Sequence, residues 1–184
     1  VKRLYLAATI VASFAAPAAR AGVDNSYGWT ISNSMTNPLA NTGTATSSVT
    51  NLYLWFYCSG SEGMAAAEFD IEASGISHLA TTTMNGFLNA GGTSNVLLAV
   101  GGCPEGPVLA ANLLVLDTPG TLCLVPSAAH GVRGTVDCDE LRPALWNADW
   151  IGYSSRGDAC RAGILCDSPL EAQAWSQVKS RYRQ

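Results

Sequence analysis

The chain has 184 residues, a formal net charge of −4, 48% hydrophobic residues and only 13% charged residues. That charged share is about half the usual one, and a mean hydropathy of +0.16 excludes disorder along the whole chain. Nucleic-acid binders need clustered Lys and Arg to displace counterions, so an acidic chain of pI about 5.0 excludes that class.

Lys2 and Arg3 precede an apolar run over residues 4–16, followed by Pro17 and Ala19-Arg20-Ala21. This is the layout of a secretory signal peptide over residues 1–21, with cleavage after Ala21. The run is shorter than the ~20 residues of a membrane span. Val1 in the place of Met points to a GTG start and a bacterial gene. The mature form is therefore expected without a membrane span, and secreted: extracellular, periplasmic or at the cell surface. Residues 22–184 hold 7 basic and 14 acidic side chains, a net −7.

Residues 22–51 form a polar N-terminal segment, with Trp29-Thr30-Ile31 as a candidate edge strand and a loop over 41–50. A β-domain is expected over 52–167. Its first strand, 52–58, puts Tyr53, Trp55 and Tyr57 on one face and Leu54, Phe56 and Cys58 on the other. Residues 64–73 alternate, with Ala67, Phe69, Ile71 and Ala73 opposite Glu68, Asp70 and Glu72; period two predicts a strand with one buried face. Further strands are expected near 77–82, 95–100 and 108–116. Residues 121–126 and 132–138 form a predicted hairpin about His130-Gly131, and residues 150–153 the last strand. About eight short strands at this spacing predict an all-β, antiparallel sandwich, immunoglobulin-like or jelly roll. Ser168-Pro169-Leu170-Glu171 is a capping box with Pro at the first helical position. Leu170, Ala174, Trp175, Val178 and Tyr182 then recur at helical spacing, predicting a C-terminal helix over 168–184.

All six cysteines follow residue 21, and an even count in an exported chain reads as three disulfides. Fifteen connectivities exist. The predicted hairpin sets Cys123 opposite Cys138. Cys160 and Cys166 can close a short loop, which leaves Cys58 with Cys103.

Four groups can carry function. Glu68, Asp70 and Glu72 share one strand face, ~7 Å between neighbours, as a retaining glycosidase pair or as a solvated face. The aromatic row Tyr53, Trp55 and Tyr57 can stack on sugar rings or pack into the core. Trp146 and Trp150, with Tyr153, form a second aromatic group. Asp137, Asp139 and Glu140 flank Cys138 and can offer oxygen ligands to a structural calcium or form an ordinary solvated turn. No other cofactor is expected.

Glu68-Phe69-Asp70-Ile71-Glu72 resembles the E-x-D-x-E catalytic strand of family 16 glycoside hydrolases, which implies Glu68 as nucleophile, Glu72 as acid/base and Asp70 as assistant. Residues 63–71 and 106–116 resemble the cohesin-type sandwich. Residues 52–58, 86–91, 97–103, 123–127 and 150–154 resemble a group of exported bacterial cysteine-bearing sandwiches of no assigned activity, related to cohesins and carbohydrate-binding modules. Trp175, Val178, Lys179, Tyr182 and Arg183 are similar to a tail motif of such proteins, which implies a sorting signal; a docked helix is the alternative. The resemblances imply an exported non-catalytic binding or adhesion module whose partner is a glycan or an extracellular protein. The family-16-like glycosidase is the alternative, and a structural cell-envelope component the second.

Overall fold

The computed structural model describes residues 27–58, 63–138 and 145–162. They form twelve strands: β1 (Tyr27–Ser32), β2 (Val49–Cys58), β3 (Met64–Ser74), β4 (Ser77–Thr83), β5 (Phe87–Asn89), β6 (Asn95–Val100), β7 (Val108–Leu116), β8 (Thr121–Val125), β9 (Gly134–Asp137), β10 (Leu145–Ile151), β11 (Tyr153–Ser154) and β12 (Arg161–Ala162). The fold is all-β, and among the described residues there is no helix. The expected signal peptide and the helix over 168–184 lie outside the described residues.

Two sheets, rich in antiparallel pairs, enclose one core. In the first, β4, β7, β2, β1 and the second half of β10 lie side by side. The β1–β10 ladder is parallel, while β1–β2, β2–β7 and β4–β7 are antiparallel. The second sheet is built on β3. β6 runs along one edge of β3 with β5 beyond it, and β8 and β9 share the other edge. β10 joins the sheets: Leu145, Trp146 and Asn147 pair with β9, and Ala148 to Ile151 pair with β1.

The period-two pattern explains the core. Leu52, Leu54 and Phe56 of β2 face Phe69 and Ile71 of β3, with Val96, Leu98, Leu113, Val115, Leu122 and Leu124 completing the layer. Each such side chain contributes about 1.5–3 kcal/mol when fully buried. Trp29 links the two sheets, its ring centroid 5.2 Å from those of both Phe56 and Phe69. Its indole N–H donates to Thr135 Oγ1 at 3.0 Å, so the buried donor is satisfied.

β1 is not an edge strand. It sits between β10 and β2, and all six of its residues are buried. The polar stretch after it folds over its outer side. Thr30 Oγ1 donates to Pro38 O at 2.6 Å, Ser32 Oγ to Asn37 O at 2.6 Å, and Asn41 Nδ2 to Ile31 O at 2.7 Å. Ser, Thr and Asn are needed there because they pair buried polar groups locally. The folded unit therefore begins before residue 52.

The predicted 121–138 hairpin does not form either. β8 pairs with the second half of β3, Asp70 to Ser74, and β9 with the first half, Met64 to Glu68, on the same edge. The two strands are thus collinear along one side of β3, interrupted by residues 126–133. Cys123 lies opposite Glu72, and Asp137 opposite Met64, a separation of ~26 Å at the strand rise. Cys123 and Cys138 therefore cannot meet. Cys103 bonds Cys138 and Cys123 bonds Cys160, which also rules out Cys58–Cys103 and Cys160–Cys166. Cys58 is disulfide-bonded as well. The first bridge ties the β6–β7 connection to the end of β9, and the second ties β8 to the segment before β12.

Candidate functional site

The aromatic row lies on the outer side of the first sheet. Along β2, Leu52, Leu54 and Phe56 are buried, while Tyr53, Trp55 and Tyr57 between them are partly exposed. Successive rings start ~7 Å apart. Polar residues frame them: Tyr53 lies opposite Ser32 on β1 and Asn112 on β7, and Trp55 lies opposite Thr30. Trp55 Nε1 donates to Ser34 O at 3.3 Å, so the polar segment that covers β1 also orients this indole. Val49 and Leu114 extend the apolar part of the face and are exposed.

Of the second aromatic group, Trp150 and Tyr153 are buried. Trp150 is 7% exposed and belongs to the core. It pairs with Trp29 across the parallel β1–β10 ladder, and the Arg133 guanidinium sits 5.7 Å from its ring. The strand that switches sheets carries its tryptophan into the interior, so Trp150 is not a surface ligand contact. Trp146 pairs with Thr135 in the β9–β10 ladder; its side chain lies outside the described part.

The acids of β3 do share one face, and the interruption between β8 and β9 folds onto two of them. Ser127 Oγ donates to Glu68 Oε1 at 2.6 Å, and His130 Nδ1 lies 2.6 Å from the same oxygen. Asp70 Oδ2 accepts the Ala128 N–H at 2.9 Å, and Asp70 Oδ1 accepts Asn95 Nδ2 at 2.7 Å. The hydrogen bonds from Ser127 and His130 hold the Glu68 carboxyl below its ordinary value of 4.5. Glu72 remains exposed opposite Cys123. The three acids thus divide: Glu68 and Asp70 anchor residues 127–130, and Glu72 faces water. A retaining pair needs both carboxyls turned to one sugar; of the expected pair, Glu68 is turned to its own chain and Glu72 to water.

Asp137 is buried at the end of β9, while Asp139 and Glu140 lie outside the described residues. Among the described residues no cluster of three His, Cys, Asp or Glu side chains could hold a metal, and no helix is long and apolar enough to cross a membrane.

Two groupings were not legible beforehand. His130 meets an acid partner 62 residues away in sequence, which no local pattern marks. Asp117 and Tyr153 line a polar cavity of about 330 Å³ with residues from β2 and the segment after β1. The only sequence hint was a single acid directly after the apolar strand 108–116. Comparison with protein-family models, with curated proteins and with solved structures gives no match for this chain.

Proposed function

We propose that this chain is an exported, non-catalytic binding module of β-sandwich architecture that holds a glycan against Tyr53, Trp55 and Tyr57. The observation that carries the reading is the strict alternation along β2. Leu52, Leu54 and Phe56 fill the core, so the three intervening rings are not needed there and stay partly exposed. A row of partly exposed rings suits a sugar, whose apolar ring face can stack on them. Two sheets packed over one core support the sandwich. Disulfide-bonded cysteines support an oxidising compartment. The glycosidase alternative draws less support, because Glu68 and Asp70 are engaged by residues 127–130.

Glycan-array screening of the protein, followed by calorimetry on any hit, tests the reading. Trp55→Ala is expected to weaken binding about threefold to tenfold, the range of one lost aromatic stacking contact. Unchanged binding in Trp55→Ala and Tyr53→Ala would dismiss the aromatic platform and turn attention to a protein partner.

A further inference from the structure

The segment between β11 and β12 carries a tripeptide that neither the core nor the aromatic row uses, Arg156-Gly157-Asp158. All three residues are exposed, whereas Tyr153 and Ser154 just before them are buried. Among the described residues, neither the Arg156 guanidinium nor the Asp158 carboxylate has a hydrogen-bond or ion-pair partner. Two side chains of opposite charge thus stand in water two residues apart, unanswered by their own chain. The described residues hold no lysine and only three arginines. Arg133 lies over the Trp150 ring and Arg161 belongs to β12, so Arg156 is the arginine that a loop presents to solvent.

Both ends of this loop are fastened. On one side, Ser154 N–H donates to Asn41 O at 2.9 Å and Ser155 N–H to Gly120 O at 3.0 Å. Ser155 Oγ accepts Gly120 N–H at 3.0 Å and donates to Thr118 O at 3.1 Å. Ser154 Oγ accepts the Arg156 N–H at 3.1 Å. On the other side, Gly152 N–H donates to Cys160 O at 2.7 Å, and Cys160 is bonded to Cys123 of β8. A tip held between fixed points loses less freedom when a partner takes it. Gly157 has a φ of +134°, and a Cβ placed there would meet nothing within 4 Å. The glycine is thus required by the backbone path, which L side chains rarely follow, and not by packing against this chain.

The exposed groups define their partner by chemistry. A guanidinium seats bidentately on carboxylates. A free carboxylate is an oxygen ligand for a divalent cation that keeps coordination positions open. We propose that Arg156-Gly157-Asp158 is a recognition loop for an extracellular receptor domain that takes Asp158 on a bound divalent cation and Arg156 in an acidic groove, with Gly157 letting the receptor surface approach the backbone between them. The loop shares no residue with the aromatic row, and neither reading depends on the other.

Surface plasmon resonance of the full chain over an immobilised integrin ectodomain, which reads Arg-Gly-Asp through a bound divalent cation, tests the proposal in buffer containing Mn²⁺. Saturable binding that EDTA abolishes and that a free Arg-Gly-Asp-Ser peptide competes away is expected. Asp158→Glu keeps the charge but moves the carboxylate by one methylene, and Arg156→Gln removes the guanidinium. Each is expected to weaken binding about 10- to 100-fold, as for one charge-assisted contact. Both residues stand at an exposed tip, so the thermal midpoints of these two variants should match that of the unmodified chain. The peptide competition needs no variant, so the test stands even if a variant misfolds. No saturable binding, binding that survives EDTA or excess peptide, or binding unchanged in folded Asp158→Glu would overturn the proposal.

Discussion

The Cys123–Cys160 bridge gives the sharpest test of the topology. It closes a sequence separation of 37 residues and fastens β8, on one edge of β3, to the segment that follows β11. On the loop-entropy model, removing a cross-link of that span costs about 4 kcal/mol. The Cys123→Ala/Cys160→Ala double variant removes the link and leaves Cys103–Cys138 in place. Urea unfolding followed by tryptophan fluorescence, under non-reducing conditions, should give a stability lower by that amount, and thermal unfolding a midpoint lower by about 10 °C. Peptide mapping of the unmodified protein should recover Cys123 linked to Cys160 and Cys103 linked to Cys138. A Cys123–Cys138 peptide would restore the hairpin and refute the collinear arrangement of β8 and β9. A stability loss under about 1 kcal/mol would show that the bridge constrains little in the unfolded chain.

Two further predictions concern pH. Burial holds the His78 imidazole below its ordinary value of 6.5, against an opposing backbone hydrogen bond at Ala80, and its Nε2 lies 3.1 Å from Thr81 Oγ1. The unfolded chain therefore takes up this proton more readily, so stability is full above about pH 6.5 and falls as pH drops below it. The urea midpoint should decline between pH 7.5 and 5.5 and decline less in His78→Gln; an equal slope in both would refute the assignment. The Glu68 carboxyl, held below 4.5 by Ser127 and His130, has the opposite ionisation and the same direction. Its contribution is present above about pH 4.5 and lost as pH falls through its depressed value. Amide protection over residues 126–133, taken relative to the intrinsic exchange rate at each pH, should fall there, and Ser127→Ala should show the loss of protection already at pH 7; protection unchanged in Ser127→Ala would show that the loop is held by other contacts.

Most strands were legible because their signal is local. The alternation over 64–73 becomes β3 with Ala67, Phe69 and Ile71 buried, residues 108–116 become β7 with the expected bounds, and β8 ends at Val125, one residue short of the expected 121–126. The aromatic face of β2 was legible for the same reason: period two fixes which rings point out once the others fill the core. Pairing between distant strands carries no such local signal. β1 read as an edge because its flanks are polar, yet those polar residues are the cover that lets it lie in the centre of a sheet. Residues 121–138 read as a hairpin because a turn stands midway between two apolar runs. The same pattern serves two collinear strands with a loop between them, and only the register against β3 separates the two.

That register also explains why the acids of β3 suggested catalysis. Acids at alternate strand positions mark an outward face in either case, and what the next layer of chain does with them decides their role. Here the chain between β8 and β9 brings a hydroxyl, an imidazole and a backbone N–H to Glu68 and Asp70, so these carboxylates hold a loop. Asp117 carries no local signal in the sequence, being one acid at the end of an apolar run. In the folded chain both Asp70 oxygens accept hydrogen bonds, whereas Asp117 has one oxygen bonded by Thr46 and the other without a partner. An acid answered by its own chain has its desolvation cost met within the fold, so a row of such acids does not by itself mark a ligand site.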